Sequence, residues 1–223
     1  MKITHFTLLA ASASLLFAAS DAPKRLDASA DVLTDIMAAP DKGIPQDLLD
    51  KSECVVIVPG LKKGAFIIGG KYGKGFISCR RAGAGWSAPA AVRVEGGSVG
   101  FQIGGSETDV VLLVMNQGGV KKLLSSKFTL GADASAAAGP VGRTSSAATD
   151  AQMHAEILTY SRARGLFAGI SLEGATLRPD EDWNKELYGK EMTNQEIVTG
   201  NTKSPAAAAR LMSLLNKYSS RRG

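Results

Sequence analysis

The chain has 223 residues, 44% hydrophobic and 21% charged, with a formal net charge of +5. That composition excludes a disordered chain and fits one sizeable globular domain or two small ones. The 25 glycines are the unusual load: glycine costs backbone entropy inside helices and strands, so this many imply turns, bulges or close backbone approaches.

The first twenty residues stand apart. Lys2 gives a short positive start, FTLLAASASLLFAA is uncharged and apolar, and Ala18 and Ser20 fit the −3 and −1 positions of a small-residue cleavage site. Residues 1–20 therefore predict a signal peptide cleaved near Ser20, and a periplasmic or secreted mature protein. A buried or anchoring helix is the alternative, but the run is short for a span. No cysteine follows it to carry a lipid anchor, and no other segment is long and apolar enough to span a bilayer. In an exported chain the two cysteines, Cys54 and Cys79, permit one disulfide; two buried thiols packing as small hydrophobes are the other reading.

LDASADVLTDIM places Leu26, Leu33, Ile36 and Met37 near one helical face, and Pro40 ends the helix. IPQDLLDKSE predicts a second short helix with Pro45 in its first turn. The period then changes. CVVIVPG is a short β-branched run and predicts a buried strand. GAFIIGGKYGKGFISCR reads as two strands meeting at a glycine-rich turn, and WSAPAAVRVEGGSVGFQIGGSETDVVLLVMN supplies two or three more. QGGVKKLLSSK predicts an inserted helix. GADASAAAGPVGRTSSAAT is built of small residues, and reads as strands lying close to a neighbouring element rather than as a flexible linker. AEILTYSRARGLFAGISLEGA predicts two strands joined near RARG. Beyond Pro179 come three helical pieces, PDEDWNKELYG, TNQEIVTG and SPAAAARLMSLLNKYSSRR. The last carries Leu211, Leu214, Leu215 and Tyr218 at helical spacing and a basic end that suits the helix dipole. Helices, many strands, then helices, without βαβ alternation, predict an α+β fold: a mostly antiparallel, barrel- or sandwich-like sheet flanked by N- and C-terminal helices.

Catalytic chemistry finds little support. The predicted mature chain has one histidine, His154, and no GxSxG elbow, so a serine or cysteine mechanism has one residue to draw on. One histidine without a close cysteine pair gives no zinc site, and no calcium-loop spacing is present. The acids at 180–182 follow Pro179 at a helix start, where dipole effects alone place them. AFIIGGKY has the Gly-Lys pair of a phosphate loop, but Ala65 stands where its first glycine belongs and Tyr72 where a serine or threonine would hold magnesium. GGKYGKG lacks the following helix that dinucleotide binding needs. No catalytic residue, metal site or cofactor is predicted.

Charge is more informative. Residues 55–106 carry Lys62, Lys63, Lys71, Lys74, Arg80, Arg81 and Arg93 against the single acid Glu95, whereas residues 150–200 carry nine acids and five bases. The cations sit beside PG, GG and AG steps, which read as turns and strand ends from which they can converge into one patch. Solvated turn charges are the plain alternative. Nucleic acid is not the expected partner, because exposed-looking aromatics and known motifs are missing. Anionic lipid suits an exported protein better, at ~1 kcal/mol per surface basic residue.

AEILTYSRARGLFAGISLEGA resembles the signature of the SYLF domain, a lipid-binding domain also found in fungal and animal regulators of cortical actin. KSECVVIVPGLKKGAFIIGGKYGKG, GGSVGFQIGGSETDVVLLVMN, LLSSKFTLGADASAAAGPVGR and LYGKEMTNQEIVTG match in order, so the resemblance covers roughly residues 26–215. It points to the exported bacterial branch, which carries the domain alone: a signal peptide, then a single domain over residues 21–223 that includes the flanking helices. The resemblance implies a non-enzymatic domain that binds phospholipid or phosphoinositide-like headgroups at the cell envelope. Lys62, Lys63, Lys71 and Lys74 fall in its LKKG and GGKYGKG block and lead as lipid-binding residues; Arg80 and Arg81 extend the block, and Arg162 and Arg164 of the signature are second-rank candidates. Actin is not carried over to an exported protein. The acidic helix LDASADVLTDIM lacks the membrane-binding character seen in some eukaryotic members. A structural or stress-related envelope protein acting through protein contacts is the alternative.

Overall fold

A computed structural model describes residues 21–39, 43–65, 68–81, 83, 85–99, 104–142, 149, 152, 154–163, 166–169, 172 and 174–219. Its elements run α1 (Asp21–Ala38), α2 (Gln46–Lys51), β1 (Cys54–Ala65), β2 (Ile68–Cys79), β3 (Ala90–Val99), β4 (Gly104–Val114), α3 (Gln117–Leu123), β5 (Phe128–Thr129), β6 (Ala136–Ala138), β7 (Ile157–Ala163), β8 (Leu166–Gly169), β9 (Thr176–Pro179), α4 (Glu181–Tyr188), α5 (Asn194–Thr199) and α6 (Ala209–Tyr218). The nine strands form one sheet in the order β5-β9-β3-β2-β1-β4-β7-β6, with β8 also on β7. Every pairing is antiparallel except β6 with β7, and the sheet curls as a half-barrel between N- and C-terminal helices. The predicted α+β fold is the observed one. The predicted signal peptide lies outside the described residues.

Both faces of the sheet are covered. On one, Leu26, Leu33 and Ile36 of α1 pack with Val55, Ile57, Phe76, Trp183, Leu211 and Leu215. On the other, Val56, Val58, Ile77, Leu112, Phe128, Leu177 and Ile197 form a second core. Successive side chains in a strand point to opposite faces, so a strand buried on both sides is apolar throughout; CVVIV is such a run. The helix ends are fixed locally. Asn116 accepts from the Gly119 N–H at the start of α3, and Asp180 from the Trp183 N–H at the start of α4. Thr193 and Glu196 form a capping box on α5.

The strand predicted to end at Pro59–Gly60 does not end there. β1 continues to Ala65 through an irregularity, with register shifts between Val58 and Leu61 and between Ile57 and Lys62. Proline cannot donate to a ladder, so inside a sheet it belongs at such a bulge, and Gly60 takes φ 57° to complete it. The freed backbone groups find partners: Arg25 donates to the Pro59 carbonyl at 2.7 Å, and the Gly60 N–H donates to Asp109 at 2.9 Å. The predicted glycine-rich turn GGKYGKG also lies inside a strand. At Gly75 a Cβ would fall 2.0 Å from the Ile57 carbonyl oxygen and 2.7 Å from the Val58 Cα, so a bare backbone lets β1 pass close beside the bulge. Among its described residues the small-residue stretch supplies the short strand β6, after which Gly139 packs against the Tyr160 ring, leaving no room for a Cβ (2.1 Å).

Candidate functional site

Extending β1 and β2 moves the lysines from turns into strands, and strand alternation then separates them. Lys63 stands directly opposite Lys71, with Ser106 of β4 on its other side. Lys62 stands opposite Tyr72 and Glu107, and so projects from the other face. Lys74 shares the Tyr72 face by its i, i+2 spacing. The expected single patch is therefore two smaller groups around the end of the β1–β2 hairpin.

The environment of each cation differs. Lys62 is exposed, while Lys63 and Lys71 are half-buried. Among the described residues none of the three makes an ion pair. Burial, and next the facing Lys63, hold the Lys71 amine below its ordinary range. Two like charges held in register on neighbouring strands oppose pairing, and an anion between them would relieve that. Tyr72, on the face of Lys62, is 50% exposed. The sequence contained this signal in KYGK, an aromatic between two lysines, and it was missed.

The remaining candidates are tied into the structure. Lys74 pairs with the buried Asp180 at 2.7 Å and lies 4.4 Å over the Trp183 ring. Arg80 donates to the carbonyls of Ser219 (2.6 Å), Leu49 (3.2 Å) and Ser52 (3.3 Å), and stacks 3.8 Å over Trp86. Arg81 donates to the Asn201 side chain. Arg162 bridges Asp109, at 2.8 Å, and Asp35, and so supports the carboxylate that holds the bulge. Arg164 lies outside the described residues. Arg80 follows Lys71 by nine residues, roughly 30 Å of extended strand at ~3.3 Å each, too far for one site.

Cys54 and Cys79 face each other across β1 and β2 and are disulfide-bonded, with Cα atoms 3.9 Å apart. His154 is exposed. Among the described residues no group of three or more histidine, cysteine or acidic side chains could hold a metal ion, and no helix is long and apolar enough to cross a membrane. The hairpin end can offer ammonium donors and an exposed phenol to an anionic surface.

Comparison with known proteins places the chain in a wider group. The family profile Ysc84, described as "Las17-binding protein actin regulator", matches residues 95–218. An SH3 domain-containing protein of Schizosaccharomyces pombe is 39% identical over 176 residues, covering 78% of this chain and 41% of that protein. LAS seventeen-binding protein 3 of Saccharomyces cerevisiae is 35% identical over 178 residues, 78% of this chain and 39% of the yeast protein. SH3 domain-containing YSC84-like protein 1 of Homo sapiens is 32% identical over 180 residues, 80% of this chain and 52% of the human protein. The chain thus spans between two fifths and about half of the curated relatives it matches.

Proposed function

Because the chain belongs to the Ysc84, or SYLF-domain, family, we propose that it is a non-enzymatic protein that binds anionic lipid headgroups through the hairpin end of its sheet. The observation that carries this reading is the facing pair Lys63 and Lys71, half-buried, without an ion pair among the described residues and with the Lys71 amine held low. A headgroup phosphate accepts from both ammonium groups and offsets their repulsion. From the opposite face of the same hairpin end Lys62 adds a third charge, and Tyr72 supplies an amphipathic ring suited to the water–lipid boundary. Lys74, Arg80 and Arg162 act in the fold rather than on lipid.

Vesicle co-sedimentation tests this. At ~1 kcal/mol per basic residue, changing Lys62, Lys63 and Lys71 together to Ser should weaken binding to anionic vesicles by roughly 100-fold. Binding of the parent should fall as salt rises, because exposed charges are screened over ~8 Å at physiological ionic strength. Equal binding by the triple variant, or equal binding of the parent to neutral and anionic vesicles in low salt, would overturn the reading.

The proposed site of action is the cell envelope, following export directed by residues 1–20. N-terminal sequencing of the purified protein should find a chain beginning near Asp21; retained Met1 would remove the argument. Las17 binding and actin regulation are named for a family whose curated members are longer, and an exported chain would not meet actin.

A further inference from the structure

A cavity of about 380 Å³ lies toward the other end of β1 and β2, within the ~300–1,000 Å³ typical of small-molecule sites. The Cys54–Cys79 disulfide lines it, together with Val120 of α3, Leu124 just beyond that helix and Val198 of α5. Val120 and Leu124 are four residues apart, hence on one side of the helix. Both border the second core yet stay only half-buried. They leave apolar surface around the cavity that a ligand would cover.

The rim is polar, and its charges are unequally occupied. Arg80 is held by three backbone carbonyls and the Trp86 ring. Glu53 accepts from Gln117 at 2.9 Å. Arg81 donates to the neutral Asn201 amide, and among the described residues no carboxylate pairs with it. A guanidinium has a planar fork of donors that matches a carboxylate in two parallel hydrogen bonds. Glu53 on the same rim repels a group of higher negative charge, which disfavours a phosphate.

We propose that this cavity binds a small monocarboxylate with a short apolar body. The carboxylate pairs with Arg81, and the body lies on the disulfide, Val120, Leu124 and Val198. The site stands apart from the hairpin lysines, and its occupation does not depend on a membrane.

Octanoate is a suitable probe, titrated into the full chain while backbone amide resonances are followed by NMR. Saturable shifts are expected at Cys79, Arg81, Val120 and Val198. Octanol, of the same length without the charge, should bind at least about tenfold more weakly, and inorganic phosphate should leave these amides unmoved. Arg81→Gln should weaken octanoate about tenfold or more, the scale of a lost hydrogen bond to a charged group, while leaving octanol unchanged. Val120→Phe, which narrows the cavity from a half-buried lining position, should also weaken octanoate. Removing Lys62, Lys63 and Lys71 should not, so failure of the lipid reading and failure of this one remain distinct. Four results would each overturn the proposal: no saturable shift at those amides, equal affinity for octanoate and octanol, equal shifts with phosphate, or an Arg81→Gln variant that binds octanoate like the parent.

Discussion

At the hairpin end of the sheet Lys63 and Lys71 face one another without an ion pair among the described residues, whereas toward the opposite end Arg80 is enclosed by three carbonyls and a tryptophan ring. Arginine suits the enclosed place because its planar group fans out several donors at fixed angles and remains charged. A lysine ammonium is compact and strongly hydrated, and keeps its solvation near the surface unless an acid is buried with it. Lys74 is that exception, since Asp180 is buried beside it. Cations that are neighbours in sequence thus divide into those that hold the fold and those left open, and the partner decides which, rather than the charge.

The sharpest way to break this comparison is Lys74→Ala. Removing one member of a largely buried pair strands Asp180, and should cost about 3–5 kcal/mol in urea unfolding. A cost under about 1 kcal/mol would return Lys74 to the open group. Arg80→Ala comes next. It removes charged hydrogen bonds from three buried carbonyls, of which those of Leu49 and Ser219 keep another donor, and should cost about 2–3 kcal/mol, whereas Lys63→Ser should stay within about 0.5 kcal/mol; equal costs would erase the distinction. The smallest effect is in pH. Lys71 has a folded pKa below its ordinary 10.5, so between the folded value and 10.5 the unfolded chain binds more protons. Stability therefore rises with pH through that window. An NMR titration should find Lys71 losing its proton below its ordinary 10.5, and at higher pH once anionic vesicles are present, because a bound anion favours the ammonium. Titration of Lys71 at its ordinary 10.5 would remove the electrostatic basis of the open group.

Helices were legible in the sequence because caps and apolar spacing are local. Asn116, Asp180 and Thr193 stand where α3, α4 and α5 begin, and Leu211 and Leu215 sit on the buried side of α6. The β7–β8 hairpin was legible too. The extents of β1 and β2 were not: Pro59, Gly60, Gly73 and Gly75 are turn residues by local chemistry, and only the neighbouring strand reveals that they shape a bulge and a close approach. The candidate site suffered most from this. Once its lysines moved into strands, alternation split them between faces, and the partners that disqualify some of them lie far along the chain. Asp180 is 106 residues from Lys74, and Ser219 is 139 from Arg80.

The position of β9 has a consequence for how the chain comes together. Val92 to Glu95 of β3 pair with residues 176–179, about 77 residues after β3 ends. At ~5–20 residues synthesised per second, the outer edge of β3 waits roughly 4–15 s for its neighbour. Through that interval the growing chain presents a valine-bearing row of unpaired N–H and C=O groups, which can template pairing with a second copy. Folding therefore has to be held back, or that edge shielded, until the last strand emerges. We expect a fragment ending at residue 175 to aggregate more than one ending at residue 180, since both lack the same helices and only the longer can pair the β3 edge, which sedimentation of the two would decide.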